Sequence, residues 1–303
     1  MPKAELSASR SIDVIEFLAL FPQQRFTLSQ ISEATEINIS SLHSVLQRMS
    51  ERGYVLRYGE KKAYGLGPSL IAVGQAVLES QPMVARAKHA AEALLIELGI
   101  PVLLSSVIGD EILALLALKD PAGCGPGMHS GERLPLVAPI GAPFLAWASA
   151  TAVDAWIARR AAPPPSHLVE AWRRDLELTR QNGYQVILRA FGGASIASLI
   201  AEMASSRPTP DYKTELTKLI NSLDYHCPQL EVIEDDSYYD VILIASPLFN
   251  EDGEVAFNLC LGGFQQRLTG VAIKHYADRL MRSCVEIMRT NRISKPHYKS
   301  DAK

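Results

Sequence analysis

An α+β fold in two parts is predicted by three observations. Near the N terminus, two short stretches of helical period are followed directly by a strand pair. From residue 101 onward, apolar runs of strand length alternate with Gly-Asp and Asp-Gly turns. The length, 303 residues, accommodates two separate cores. A composition of 48% hydrophobic and 21% charged residues is that of an ordered globular chain, which excludes the disordered and fibrous classes.

In chain order, residues 1–8 read as a frayed tail, and Ile12, Ile15, Leu18 and Ala19 form one face of a first helix. Thr27-Leu28-Ser29-Gln30 has the pattern of a capping box, so a second helix starts there with Leu28 and Ile31 turned inward. Glu36-Ile37-Asn38 breaks the period, and Asn38 is a favourable N-cap for the next helix. In that helix Leu42, Val45, Leu46 and Met49 fall at i, i+3, i+4 and i+7, a core-facing stripe. The opposite face carries Ser40, Ser41, His43, Ser44, Gln47 and Arg48, and Gly53 supplies the left-handed stop. Tyr54–Tyr58 and Ala63–Leu66 read as strands around a Gly59-Glu60-Lys61-Lys62 turn. Helix, turn, helix and basic-tipped hairpin make a winged helix-turn-helix over residues 1–67, whose second helix fits the DNA major groove. The polar face would read base edges, with Thr27 and Asn38 at the helix starts and Arg57, Lys61 and Lys62 on the backbone or minor groove.

These residues also carry a resemblance. Arg10-Ser11-Ile12, Leu28-Ser29-Gln30-Ile31-Ser32-Glu33, Ser40-Ser41-Leu42-His43, Glu51-Arg52-Gly53-Tyr54-Val55 and Tyr64-Gly65-Leu66-Gly67 resemble the N-terminal domain of the IclR family of bacterial transcription regulators. Ile39 and Ser44 stand where that family often has basic residues. The resemblance implies a double-stranded DNA operator, a homodimer or dimer of dimers, and a small-molecule effector. Charge supports the need for paired domains. The whole chain has net charge −3, and residues 1–67 hold eight Lys and Arg against seven Asp and Glu, so one copy offers phosphate little attraction.

Residues 68–81 read as a linker helix with Leu70, Val73 and Val77 on one face, and Pro82 restarts the chain into a helix ending at Gly99. Residues 82–292 then form the second domain. Pro101–Ile108 and Ile112–Leu118 read as paired strands, 119–134 as a loop, and Pro139–Ser149 as a helix opened by Gly141-Ala142. Further helices follow over Val153–Arg160 and around Leu168, Trp172, Leu176 and Thr179, with a strand at Tyr184–Leu188. Segment 189–235 is the least legible, with one helix suggested by Leu216, Leu219, Ile220 and Leu223. Val241–Phe249 and Glu254–Gly262 flank Asn250-Glu251-Asp252-Gly253, a strong hairpin signal. A last helix runs from about Thr269 to Arg292, carrying Val271, Tyr276, Leu280, Val285, Ile287 and Met288, and 293–303 is a basic tail. An antiparallel sheet flanked by helices is the arrangement of GAF-like sensor domains.

Signals for catalysis and cofactors are weak. The Gly-rich run Gly123–Gly127 lacks the lysine and following helix of a phosphate loop, Cys124 and His129 have no orienting acid, and the four cysteines show no metal spacing. No metal and no cofactor are expected. Scattered cysteines, the absence of an apolar leader and the lack of any membrane-length run predict a cytoplasmic chain with no membrane partner. By resemblance, the effector site comprises Pro139, Ile140 and Gly141, one of Glu234–Asp236 with Asp236 as the candidate, then Cys260 and Gly262. A helix start there would suit an anion, but Pro139 lacks an N–H and Gly262 a side chain, which favours an aromatic or bulky apolar ligand. The leading reading is a DNA-binding transcription regulator tuned by an aromatic or carboxylate-type metabolite. The second is a GAF-like sensor whose N-terminal unit docks protein, and an enzyme is third.

Overall fold

The computed structural model describes residues 3–59, 62–125, 127–189 and 231–290. They form two compact units, one within Met1–Pro82 and one from Met83 onward.

In the first unit, helices α1 (Lys3–Leu20), α2 (Leu28–Thr35) and α3 (Ile39–Glu51) precede a hairpin of β1 (Val55–Tyr58) and β2 (Ala63–Leu66), and α4 (Ser69–Ser80) follows. Helix α1 starts at Lys3, where a frayed tail was expected; Lys3, Ala4, Glu5 and Leu6 are all good helix formers. Its inner face also differs from the expected stripe. Val14, Phe17 and Leu18 are buried while Ile12 is 55% exposed. Aromatic packing sets this rotation: the Phe17 ring lies 4.7 Å from Phe26 and 6.0 Å from Phe21.

Helix α2 opens on the expected capping box, with Thr27 N–H donating to Gln30 Oε1 at 2.9 Å. Glu36 then takes a left-handed φ of 54°, and Asn38 Oδ1 accepts from Ser41 N–H at 2.9 Å to start α3. Leu42, Val45, Leu46 and Met49 are all buried, in one core with Ile31, Ile37, Val55 and Tyr64. An antiparallel bridge between Phe26 and Tyr64 ties the hairpin to the chain before α2. The end of α3 is joined closely to the start of α4. Gly53 has φ +70°, Ser69 N–H donates to its carbonyl at 3.1 Å, and Ser69 Oγ donates to the Arg52 carbonyl at 2.8 Å. A Cβ on Gly67 would sit 2.1 Å from the Gly53 oxygen, so only glycine fits there.

The second unit is built on a six-stranded antiparallel sheet in the order β5-β4-β3-β9-β8-β6. Its strands are β3 (Val102–Ile108), β4 (Glu111–Leu118), β5 (Arg133–Pro135), β6 (Gln185–Leu188), β8 (Val241–Phe249) and β9 (Val255–Gly262). A small separate pair joins β7 (Tyr238–Tyr239) to β10 (Leu268–Thr269). Strand alternation gives the sheet two different faces. Val102, Leu104, Leu259, Leu261, Ile244 and Leu248 pack against α5 (Pro82–Leu98) and the last helix, α9 (Gly270–Thr290). On α9 the buried side chains include Ile273, Ala277, Leu280 and Cys284, while Val271 is 56% exposed and belongs to the outer side.

The other sheet face is covered by α6 (Ala142–Leu145), α7 (Ala150–Ala158) and α8 (Ser166–Asn182). Here the structure corrects the expected helix over Pro139–Ser149, which is only four residues long. Gly141 at φ +85° precedes it, Pro143 withholds an N–H, and Ser149 caps a new helix through Ala152 N–H at 3.2 Å. Strand β5 falls at the end of the stretch read as a loop, where Leu134 and Arg133 pair with Ile112 and Leu113. The expected helix near Leu216, most of segment 189–235 and the tail 293–303 lie outside the described residues, as do Cys227, Glu60 and Lys61.

Candidate nucleic-acid interface and effector cavity

The face of α3 opposite its buried stripe presents Ser40, His43, Ser44, Gln47 and Arg48 to solvent, with Ser41 half-buried. Its hydrogen bonds stay within the helix: Gln47 Nε2 donates to Glu51 Oε1 at 3.1 Å and Ser44 Oγ to the Ser40 carbonyl at 3.4 Å. Groups so engaged can exchange these local partners for base edges at small cost. Ile39, at the first turn, is 53% exposed and adds an apolar contact there. Thr27 and Asn38 serve as caps, which fixes where each helix begins. On the hairpin Arg57 and Lys62 are exposed, and Lys62 closes the turn with a φ of 50°. Arg25, which the sequence pattern did not single out, stacks its guanidinium 4.4 Å from the centre of the Tyr58 ring, beside Gly65. That contact locks the hairpin against the segment leading into α2.

In the second unit a cavity of about 180 Å³ lies between the sheet and α6–α8. Its floor is one sheet face: Leu103 and Ser105 of β3, Asn258 and Cys260 of β9, Leu243 and Ala245 of β8, Gln185 and Ile187 of β6. Pro139, Ile140 and Gly141 form part of the wall, with Phe144, Trp156, Trp172 and Asp175. The turn in that wall is held by α7 and the two residues after it. Arg159 Nη1 donates to the Leu136 carbonyl at 3.1 Å, Arg160 Nη1 to Ala138 at 2.9 Å, and Trp156 Nε1 to Ile140 at 2.8 Å. Ile140 N–H donates to the Val137 carbonyl at 2.7 Å and is therefore engaged within the turn.

Of the six expected effector residues, Pro139, Ile140, Gly141 and Cys260 line this cavity, and two do not. Asp236 sits exposed on the turn before β7, and the neighbouring Asp235 bonds Lys274 at 2.7 Å. Gly262 lies at the end of β9, where its N–H donates to the Pro101 carbonyl at 3.1 Å. The helix-start argument for an anion also fails. A four-residue helix sums too few peptide dipoles to hold a charge. Burial pushes the Cys260 thiol well above its ordinary value, with Cys284 adding to the effect, so Cys260 acts as a small apolar surface. Asn258, Gln185 and Asp175 were missed. The available signal was a polar residue inside an apolar run, Asn258 in Val255–Leu261 and Gln185 before Val186-Ile187-Leu188.

Comparison with known proteins places the first unit firmly. Residues 7–58 match the model of the IclR helix-turn-helix domain. Over 136 residues the chain is 30% identical to the DNA-binding transcriptional repressor YiaJ of Escherichia coli K12. Residues 7–58 are a helix-turn-helix domain of the IclR type. The match to that repressor spans 45% of this chain and 48% of the repressor, about half the length of each. IclR structures extend the likeness in fold to both units. The IclR regulator of Alicyclobacillus acidocaldarius superposes with a TM-score of 0.67 at 16% identity, covering 94% of this chain and 98% of the other. An IclR homologue from Microbacterium hydrocarbonoxydans, solved with 4-hydroxybenzoate, gives 0.61 at 19% identity, covering 95% and 100%. These relatives are transcriptional regulators by description rather than enzymes. Among the described residues no His, Cys, Asp and Glu group has the arrangement of a metal site, and no helix is long and apolar enough to cross a membrane.

Proposed function

We propose that this chain is a DNA-binding transcription regulator whose operator affinity is set by a small aromatic metabolite in the second unit. The observation that carries the reading is the exposed polar face of α3, fixed by Asn38 at one end and Gly53 at the other, in a unit of IclR type. In this reading Ser40, Ser41, His43, Ser44, Gln47 and Arg48 face the major groove, Thr27 and Asn38 lie near phosphates, and Arg57, Lys61 and Lys62 contact the backbone or minor groove. The described cavity, of single-ring size and walled mainly by apolar side chains, is where the effector binds, and an aromatic acid bound to an IclR homologue supports that class.

Self-association completes the proposal. Helix α4 buries none of its residues in the described chain, and Val73 and Val77, four residues apart on one face, are 47% and 44% exposed. An apolar helix face of this kind is covered when two copies pair through it, giving a dimer or a dimer of dimers with two DNA-reading units. The division of the chain into a winged unit at 1–67, a linker helix at 68–81 and an effector unit at 82–292 follows from the same reading. The deciding experiment measures binding of the purified chain to its own upstream DNA and to random duplex across a salt series. Operator preference with a negative slope of log affinity against log salt is expected, because phosphate contacts release counterions. A folded protein that binds neither DNA at low salt would overturn the reading in favour of protein docking.

A further inference from the structure

The cavity holds a set of polar atoms with no hydrogen-bond partner among the described residues. Asn258 is 1% exposed, and neither its Oδ1 nor its Nδ2 has a hydrogen-bond partner. Because both ends are unpartnered, that statement does not depend on which end is oxygen. Trp172 Nε1 and Gln185 Oε1, in side chains 2% and 6% exposed, are buried and unpartnered as well. Leaving such groups unpaired costs about 1–3 kcal/mol each, so a protein that retains them in one cavity wall gains when a ligand pairs them. Together they offer two donors and two acceptors.

The charge around this set is equally specific. Among the described residues no Lys, Arg or His lines the cavity; Arg160 lies outside the lining, its guanidinium 5.4 Å from the centre of the Trp172 ring and bonded to the Ala138 carbonyl, and the one carboxyl group in the lining is Asp175, itself 7% exposed. A ligand carboxylate would meet no cation among these described lining residues, and a buried charge without a partner is costly. Trp156, Trp172 and Phe144 supply flat apolar walls.

We infer that the effector is an uncharged single-ring aromatic compound carrying a group that both donates and accepts hydrogen bonds, a carboxamide or lactam, paired by Asn258 with help from Trp172 and Gln185. This rests on the proposed effector role of the cavity and narrows it: the polar end of the ligand is read by neutral amide and indole groups, and an aromatic carboxylate of the same shape binds more weakly. The size agrees, since a cavity of about 150 Å³ suffices for benzene and this one measures about 180 Å³.

The test uses benzamide and benzoate, two probes of one shape that differ in charge, titrated by calorimetry into the full chain. Benzamide should bind about tenfold tighter or better, the penalty of burying the unpaired carboxylate. Asn258→Leu should remove that preference by weakening benzamide alone. Trp172→Phe, which keeps the ring and deletes the donor, should weaken benzamide in part and leaves the test standing should the leucine variant misfold. Equal affinities, tighter benzoate, or no binding of either probe at millimolar concentration would overturn the inference. Operator binding measured on the same preparations keeps the two questions apart. A chain that prefers benzamide but ignores DNA overturns the regulator reading alone, and a DNA-binding chain that prefers benzoate overturns only the ligand class.

Discussion

At the scale of single residues, Asn258 is the side chain with most at stake, buried among Leu259, Cys260 and the strands either side with both amide atoms unpartnered. Without ligand it lowers stability, so Asn258→Leu should raise the thermal midpoint, the relief being about 1–3 kcal/mol for an unsatisfied buried group. A denaturation curve of the ligand-free variant checks this; a lower midpoint would mean the amide is paired in solution. Gly141 offers a less clean handle on the same cavity. Its φ of +85° and a Cβ that would lie 2.3 Å from Leu136 Cδ1 make any substitution distort the wall. On the proposed DNA-reading side, Gln47→Ala should cost about 1–3 kcal/mol on the preferred site and relax base preference there. Lys62→Ala should weaken all sequences alike and reduce the salt slope by about one. Identical behaviour of the two variants in anisotropy titrations would refute the groove assignment.

Among elements, the junction of α3 with α4 governs how the two ends of the first unit communicate. Three hydrogen bonds cross it: Gly67 N–H to Tyr54 at 2.8 Å, Ser69 N–H to Gly53 at 3.1 Å, and Ser69 Oγ to Arg52 at 2.8 Å. A shift of α4 is thereby passed to the last turn of α3 with little slack. Gly67→Ala drives a methyl group into the Gly53 carbonyl and should reduce operator affinity at least tenfold, about 1.4 kcal/mol, while secondary structure by circular dichroism stays near that of the parent. Helix α4 makes its own prediction. Replacing Val73 and Val77 together by glutamate puts charge on the exposed apolar face, and sedimentation should show a monomer with correspondingly weak DNA binding.

For the molecule as a whole, two ionisation effects bound the pH range of stability. Arg279 grips Glu97 through bonds of 2.7, 2.9 and 2.7 Å between α9 and α5. This grip holds the Glu97 carboxyl below its ordinary value. Its contribution is present above the unfolded carboxylate value and is lost as pH falls through the lower folded one. At the other end, burial pushes the Cys284 thiol up to about 12, and Cys260 is raised in the same direction. Those thiols stay protonated when folded, so stability is full below the unfolded value of about 8.5 and declines as pH rises above it. Chemical denaturation across pH should show this alkaline decline, and Cys284→Ala should flatten it. Under the proposed function, ligand and operator are linked in both directions. A 100-fold effect of ligand on DNA affinity is about 2.7 kcal/mol of coupling, and operator must then change ligand affinity by the same factor.

The sequence by itself determined the first unit nearly completely. Its α2 and α3 starts, the Leu42–Met49 stripe, the Gly53 stop and the hairpin depend on contacts within a few residues, where capping and period act directly. It also set the long strands and the hairpin around Asp252-Gly253, for the same local reason. The cavity was legible only in fragments. Pro139, Ile140, Gly141 and Cys260 came from resemblance, while Asn258, Gln185 and Asp175 did not, because their meaning lies in strands and a helix far apart in the chain. Pairing β9 with β3 and β8, and β8 with β6, is what brings Ser105, Asn258, Ala245 and Gln185 onto one face. Local pattern marks which residues are polar; only the tertiary register decides that the Asn258 amide and Gln185 Oε1 are left without a partner, and a missing partner is what makes a ligand site.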